Sequence, residues 1–124
     1  MREILFRAKS TITEKWFIGY FYRPDILSYE FLGEFYADEH IIPETLGQYT
    51  GLQDKNGTKI FEGDVVSYNG TLHKVVFEDR NLSAYFGIVI SAMETWQFSY
   101  QVPSDHMEVV GNIYDNPELL EEVK

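Results

Sequence analysis

One Asn-Gly pair, Asn69-Gly70, constrains the fold of this chain more than any other local feature. Asparagine and glycine both tolerate positive φ angles, and the pair is typical of the two-residue type I′ turn that joins antiparallel strands. It lies between residues 64–68 and 72–77, two runs that are rich in β-forming side chains. These residues therefore predict a β-hairpin.

A second Asn-Gly pair, Asn56-Gly57, lies between the shorter runs 50–52 and 59–61. Its turn chemistry is the same, but such short arms say little about strand pairing. The pair predicts a turn, and it leaves open whether that turn joins two strands or only lies on the surface.

Longer runs of β-forming residues predict the rest of a mostly β protein. Residues 95–102 alternate aromatic or apolar side chains with polar ones, which indicates a strand with one solvated face. Residues 85–90 have no polar position and predict a strand covered on both faces, with a bulge at Gly87. Residues 15–22 have a similar pattern and the same interpretation. Two shorter runs complete the set of strands: 4–6 and 108–114.

Helix signals are few. Residues 42–47 predict a single helical turn, and residues 116–118, Asn-Pro-Glu, have the N-cap, the proline and the acid that begin a helix. The leucines that follow predict a C-terminal helix of about two turns, which is stable only if they dock on the body. Residues 37–40 predict a short acidic loop. We therefore expect one domain over residues 1–124: a small antiparallel β-barrel or sandwich with short helical turns.

Composition limits the classes of function. The chain has 124 residues, of which 10 are basic, 20 are acidic and none is cysteine, so its net charge is −10. A chain of this length can bury enough apolar surface to form a stable hydrophobic core. The absence of cysteine excludes disulfides and thiolate chemistry. The acidic excess disfavours binding to nucleic acid. No apolar run is long enough to cross a membrane, and the charges in residues 1–9 do not fit a signal peptide. These features predict a cytoplasmic protein with no membrane partner.

Familiar catalytic patterns are missing from the sequence. There is no phosphate-binding loop, dinucleotide-binding glycine pattern, nucleophile elbow or zinc-protease motif. The three histidines, His40, His73 and His106, are scattered, and solvated surface is a better interpretation of them than a metal site. We expect no catalytic residues, no metal and no cofactor.

Polar residues between positions 48 and 64 form the first candidate binding set. Glycines divide this segment, and its polar side chains would line a groove for a partner or ligand. In the alternative interpretation, the aspartates accept hydrogen bonds from backbone N–H groups and apolar neighbours anchor the loop. This alternative is favoured because polar side chains in turns usually bind backbone. The candidate binding residues are Gln48, Tyr49, Thr50, Asp54, Glu62 and Asp64.

The aromatic N-terminal region forms the second candidate set. Residues 1–23 contain five basic and two acidic residues, a net charge of +3, so the other 101 residues carry −13. Aromatic side chains beside cations are typical of a platform for single-stranded nucleic acid or of a peptide groove, although a buried core explains the same residues more simply. The candidate nucleic-acid face contains Arg7, Lys15, Trp16 and Tyr20.

Two stretches match the pattern of a known family. Residues 43–66, PETLGQYTGLQDKNGTKIFEGDVV, resemble the signature block of the YopX family, and residues 110–120, VGNIYDNPELL, resemble its closing block. Residues 2–8 also fit the way in which members begin. The resemblance implies a small, mostly β protein encoded by a phage or prophage, and it brings no catalytic residues.

Several functions fit these features. The first is a non-enzymatic protein-binding domain with a host or phage partner, or one that self-associates. The second is binding of single-stranded nucleic acid through the N-terminal region, and a variant of it has the acidic body mimic nucleic acid and occupy a basic host protein. The last is a hydrolase that uses Glu62 and Asp64, which we rank lowest. The predicted place of action is the cytoplasm of an infected or lysogenic bacterium.

Overall fold

The computed structural model describes residues 4–31, 35–78, 85–91, 94–98 and 103–121, and it divides the chain into two compact units, 1–51 and 52–124. In the first unit the strands lie in the order β4-β3-β2-β1-β5, and neighbouring strands are antiparallel. Strand β5 runs past the boundary between the units. The elements are β1 (Phe6–Lys9), β2 (Trp16–Arg23), β3 (Ile26–Phe31), β4 (Phe35–His40), a 3-10 turn (Pro43–Thr45) and β5 (Gly47–Gln53).

The second unit contains a five-stranded antiparallel sheet of order β10-β9-β8-β7-β11. Its elements are β6 (Lys59–Phe61), β7 (Asp64–Tyr68), β8 (Thr71–Glu78), β9 (Tyr85–Ser91), β10 (Glu94–Gln97), a 3-10 turn (Ser104–His106), β11 (Glu108–Asn112) and the helix α1 (Glu118–Glu121). A mostly β, antiparallel fold with short helical turns is confirmed. Within the described residues neither sheet is closed into a barrel.

The predicted hairpin is confirmed. Strands β7 and β8 pair from Val65 opposite Lys74 to Tyr68 opposite Thr71. Between them Asn69 and Gly70 have φ angles of 52° and 82°, both positive, as a type I′ turn requires. This turn fixes the register that places the valines of β7 in the core.

Two local predictions are wrong. Gly87 is not at a bulge, since β9 pairs with β8 in continuous register there. A Cβ at Gly87 would instead meet the backbone carbonyl of Trp96 in β10, so glycine allows a close approach of two strands. Residues 37–40 are not a loop but the end of β4, in which Glu39 lies opposite Leu27 of β3. Strand pairing outweighs the low β propensity of this acidic run.

Each unit has its own apolar core. In the first unit Ala8, Leu27 and Ile41 are buried together. In the second unit the core contains the aliphatic side chains of β6, β7, β8 and β9, and full burial of each contributes roughly 1.5–3 kcal/mol. The largest fully buried members are Ile60, Val66, Val75, Ile88 and Met107.

The predicted helical turns are present at Pro43–Thr45 and at the C-terminus. The described helix α1 is short, Glu118–Glu121, and Leu119 and Leu120 are half-buried, as docking requires. Residues 99–102 of the predicted strand and residues 2–3 of the basic segment lie outside the described residues. Among the described residues, no helix is both long and apolar enough to cross a membrane.

Candidate functional site

The carboxylate of Asp54 organises the turn that contains Asn56 and Gly57. Its Oδ1 accepts hydrogen bonds from the backbone N–H of Asn56 at 2.8 Å and of Thr58 at 2.9 Å. Its Oδ2 accepts a third from the backbone N–H of Val109 at 2.9 Å. Asp54 is only 5% exposed. Its oxygens therefore stabilise backbone, as the structural interpretation of this segment predicts.

These contacts change the pKa of the Asp54 carboxyl. Burial alone raises this pKa, because it disfavours the charged form. The hydrogen bonds from Val109, Thr58 and Asn56, together with the positive charge of Lys55, outweigh that effect and hold the pKa below its ordinary value of 3.8. At neutral pH the group is an acceptor and not a proton donor.

The Asp54 turn covers the beginning of an edge strand. Strand β11 is the last strand of the second unit's sheet, and unpaired backbone groups on such an edge can recruit other chains. The backbone N–H of Lys55 donates to the carbonyl of Met107 at 3.0 Å, next to the bond from Val109 to Asp54. The turn thus binds one donor and one acceptor of this edge.

Asn116 binds the other end of β11. Its backbone N–H donates to the carbonyl of Asn112 at 2.9 Å, and its side-chain Oδ1 accepts from the backbone N–H of Asn112 at 3.3 Å. The sequence predicts Asn116 as a helix N-cap. The structure shows that its side chain also closes the turn between β11 and α1.

The two family-like stretches meet at Gly63. The backbone N–H of Ile113 donates to the Gly63 carbonyl at 2.9 Å. Gly63 has a φ of +93°, and a Cβ there would lie 3.1 Å from the ring of Tyr114. Glycine is therefore favoured both by the backbone conformation and by the aromatic ring.

Asp64 also binds backbone. Its Oδ2 accepts a hydrogen bond from the N–H of Phe61 at 2.8 Å, and Asp64 is 1% exposed. Glu62 is half-buried in the same turn. The position of Asp64 is that of a cap on the turn between β6 and β7.

The remaining members of the first candidate set lie in the first unit. Gln48 is half-buried opposite Phe6, whereas Tyr49 and Thr50 are buried. The backbone N–H of Tyr49 donates to the carbonyl of Leu5 at 2.7 Å. Gln48, Tyr49 and Thr50 thus belong to one unit, and the three acidic candidates belong to the other. Their predicted role in binding stays a prediction.

Strand β2 presents large apolar side chains to solvent. Ile18 is 49% exposed, Tyr20 44% and Tyr22 63%. The prediction that this strand is covered on both faces is wrong, because the core residues Ala8 and Leu27 lie opposite odd-numbered β2 residues, on the other face. On that other face the rings of Phe17 and Tyr29 lie 5.5 Å apart, whereas Phe21, near the end of β2, is 49% exposed.

Two cations lie over an indole ring in β1 and β2, and all three side chains are half-buried. Lys9 lies opposite Trp16, and Arg7 lies opposite Ile18. The Arg7 Cζ is 4.8 Å and the Lys9 Nζ 5.6 Å from the centroid of Trp16, within the range of cation–π attraction. We call this surface the aromatic face. It contains Arg7, Lys9, Trp16, Ile18 and Tyr20.

The aromatic face unites three of the four predicted nucleic-acid residues: Arg7, Trp16 and Tyr20. The fourth, Lys15, is exposed immediately before β2. The sequence did not single out Lys9 for this surface, although its period-two spacing from Arg7 is the signal that identifies it. Three further aromatic residues of this unit, Phe31, Phe35 and Tyr36, belong to β3 and β4.

The histidines do not gather ligands. His106 lies 4.0 Å from Asp105, with both side chains exposed. Among the residues that the structure describes, no three side chains of the types His, Asp and Glu come close enough to hold a metal ion.

A family model, described as YopX protein, matches residues 5–121. The chain belongs to the YopX family. Its fold is similar to that of protein EF1440 from Enterococcus faecalis, with a TM-score of 0.54 and 24% sequence identity over 97% of this chain and 99% of that one. No curated protein matches the chain. The resemblance of residues 43–66 and 110–120 to the YopX family is therefore confirmed.

Proposed function

We propose that this YopX-family chain is a non-enzymatic protein-binding domain, and that its partner docks on the aromatic face. One observation carries the proposal: Ile18 and Tyr20, two residues apart in β2, are 49% and 44% exposed, and the large side chains of Phe21 and Tyr22 at the end of the strand are exposed as well. Contiguous apolar surface of this kind is typical of interaction sites, and tyrosine supplies large contact area at low entropic cost.

The charges of the aromatic face suggest the chemistry of the partner. Arg7 and Lys9 lie at one end of the aromatic face, over Trp16, and Ile18 and Tyr20 continue this face along β2. A protein surface with apolar side chains along this face and an acidic group at the cationic end would be complementary. The polar residues of the second unit, by contrast, stabilise turns.

The family context supports a place of action. We infer that the protein is encoded by a phage or prophage and works in the cytoplasm of the bacterial host, as the YopX resemblance implies. The absence of cysteine fits such a reducing compartment.

The test uses a double variant and a matched control. Ile18→Ser with Tyr20→Ser removes apolar contact from the aromatic face, while Ile12→Ser removes an isoleucine that is 80% exposed in a turn of the same unit. Tagged proteins are incubated with bacterial lysate, and each captured protein is quantified by mass spectrometry. The proposal expects a protein that the wild type and Ile12→Ser capture and that the double variant loses. Equal capture by all three contradicts it. Light scattering over a range of concentrations shows whether the captured partner is a second copy.

A second candidate function is binding of single-stranded nucleic acid on the same face. It is favoured by the position of Arg7 and Lys9 around Trp16, because such proteins combine stacking rings with cations that contact phosphate. Fluorescence anisotropy with a labelled oligonucleotide at low salt tests it. Binding should weaken in Tyr20→Ala and should fall steeply with salt. An unchanged anisotropy excludes this candidate and leaves the first one standing.

A further inference from the structure

We propose that Asn69 is a site of spontaneous deamidation and that the fold protects Asn56 from the same reaction. Both asparagines begin an identical triplet, Asn-Gly-Thr. Their local chemistry is therefore matched, and both side chains are exposed. The two sites differ in whether the surrounding structure forms hydrogen bonds with the asparagine and with the glycine that follows it.

The reaction needs only water. The backbone nitrogen of Gly70 forms a bond to Cγ of Asn69, the bond from Cγ to Nδ2 breaks, and ammonia leaves with the proton from the Gly70 amide. Water then opens the resulting cyclic imide at one of its two carbonyls. One product is aspartate with a normal backbone, and the other is isoaspartate, in which the chain passes through the side-chain carbon. Glycine favours the first step because no Cβ hinders the attacking nitrogen.

At the Asn69 turn, the two reacting groups, the side-chain amide of Asn69 and the backbone N–H of Gly70, are not held by hydrogen bonds. In the described part of the chain, no hydrogen bond involves the side chain of Asn69 or the backbone N–H of Gly70. A Cβ at Gly70 would meet no atom within 4 Å, so the turn has open space around it. Nitrogen and Cγ can therefore come together without first breaking a hydrogen bond of either group.

The turn at Asn56 holds the same groups in place. The N–H of Gly57, the attacking group, donates to the Asp54 carbonyl at 3.0 Å. The N–H of Asn56 donates to the Asp54 carboxylate at 2.8 Å, and its side-chain amide lies 3.4 Å from Glu108. The reaction at Asn56 therefore requires that hydrogen bonds break first.

The two products differ in their effect on the hairpin. Asp-Gly also forms type I′ turns, so conversion of Asn69 to aspartate leaves the register of β7 and β8 intact and adds one negative charge. Isoaspartate adds a backbone atom to a two-residue turn. That atom disturbs the pairing of Tyr68 with Thr71, at the closed end of the hairpin.

The experiment compares both sites in one sample. Folded protein is incubated at mildly alkaline pH and then digested with trypsin, which separates peptide 56–59 from peptide 60–74 because it cleaves after Lys55, Lys59 and Lys74. Mass spectrometry follows the loss of asparagine in each peptide. A reaction that must first break one or two hydrogen bonds is slowed roughly five- to thirtyfold. We therefore expect Asn69 to lose its amide faster than Asn56 by that factor. Equal rates, or a faster Asn56, overturn the proposal.

Two controls separate the fold from the sequence. In concentrated urea the matched triplets should react at similar rates, and a persistent difference would mean that the neighbouring residues, not the fold, set the rates. In folded Asp54→Ala, which removes the carboxylate that binds the N–H of Asn56, the rate at Asn56 should rise towards that at Asn69, and an unchanged rate counts against protection by this carboxylate. If this variant unfolds, as circular dichroism will show, both sites should take their urea rates.

Discussion

Asp54 and Tyr20 come from segments whose compositions suggest opposite environments. Asp54 lies in a polar run divided by glycines, yet it is 5% exposed and accepts three backbone hydrogen bonds. Tyr20 lies in a run of apolar and aromatic residues, yet it is 44% exposed. The polar run thus stabilises its own unit, and the apolar run provides the surface on which a partner can dock.

The difference has a physical cause. A carboxylate can be buried when backbone donors replace its water, and a turn supplies several such donors in a small volume. An apolar strand is covered on both faces only if two layers pack against its sheet, and the core of the first unit lies on one face of β2. Polarity alone therefore does not indicate which residues remain available for binding.

The strongest test of this contrast is the loss of the Asp54 carboxylate. Asp54→Ala removes the shared acceptor of three backbone N–H groups and the buried carboxylate that joins them, and we expect the free energy of unfolding to fall by about 3 kcal/mol or more. Urea titration followed by circular dichroism measures it. The control is Lys55→Ala, which removes an exposed ion pair to Glu108 at 3.8 Å and should cost less than about 1 kcal/mol. Similar losses in the two variants would mean that Asp54 is not a structural residue.

A second test compares two glycines with positive φ. Gly63→Ala strains the backbone and brings a Cβ to 3.1 Å from the Tyr114 ring, whereas a Cβ at Gly57 meets nothing within 4 Å. We expect losses of about 2 kcal/mol or more for Gly63→Ala and about 1 kcal/mol for Gly57→Ala, where only the strain acts. Thermal unfolding of both variants measures the difference. Equal losses would show that the contact with Tyr114 is unimportant.

The third test uses pH. The pKa of Asp54 is lower in the folded protein than its ordinary value of 3.8, so its stabilising contribution is fully present above the unfolded pKa. It is lost as pH falls through the folded pKa. The urea midpoint of the wild type should therefore drop more steeply below about pH 4 than that of Asp54→Asn, which cannot titrate. Parallel curves for the two proteins would contradict the assignment.

The smallest effect on stability is expected on the aromatic face. Ile18→Ser with Tyr20→Ser changes exposed side chains, and each substitution should alter the free energy of unfolding by less than about 0.5 kcal/mol. Chemical denaturation checks this expectation. A loss of several kcal/mol would mean that these side chains are part of a core, and the contrast with Asp54 would then disappear.

Features that depend on neighbouring residues could be predicted from the sequence. The hairpin at Asn69-Gly70 and the turn at Pro43–Thr45 are specified by residues within a few positions of each other. The capping role of the aspartates was also predicted as a class, because turn chemistry is local.

Features that depend on residues distant in the sequence could not be predicted from it. Val109, which binds the Asp54 carboxylate, is 55 positions away, and no local pattern indicates this pairing. Gly87 was assigned to a bulge because the real reason for a glycine there, the close approach of Trp96, depends on how β9 and β10 pair and is not visible in the local sequence. The sequence left open whether Tyr20 is buried in a strand covered on both faces or exposed on a binding face, since the pattern of a strand does not show how many of its faces are covered.

The hydrogen bond between Asp54 and Val109 requires a specific side chain at position 54 but only a backbone N–H at position 109. The group that Asp54 binds at position 109 is the backbone N–H, which every residue except proline possesses. A saturation mutagenesis scan should therefore find position 54 intolerant of nearly all replacements. At position 109 the bond itself forbids only proline, and the half-buried side chain sets the other preferences. Statistical coupling between the two positions should be weak even though they are in direct contact.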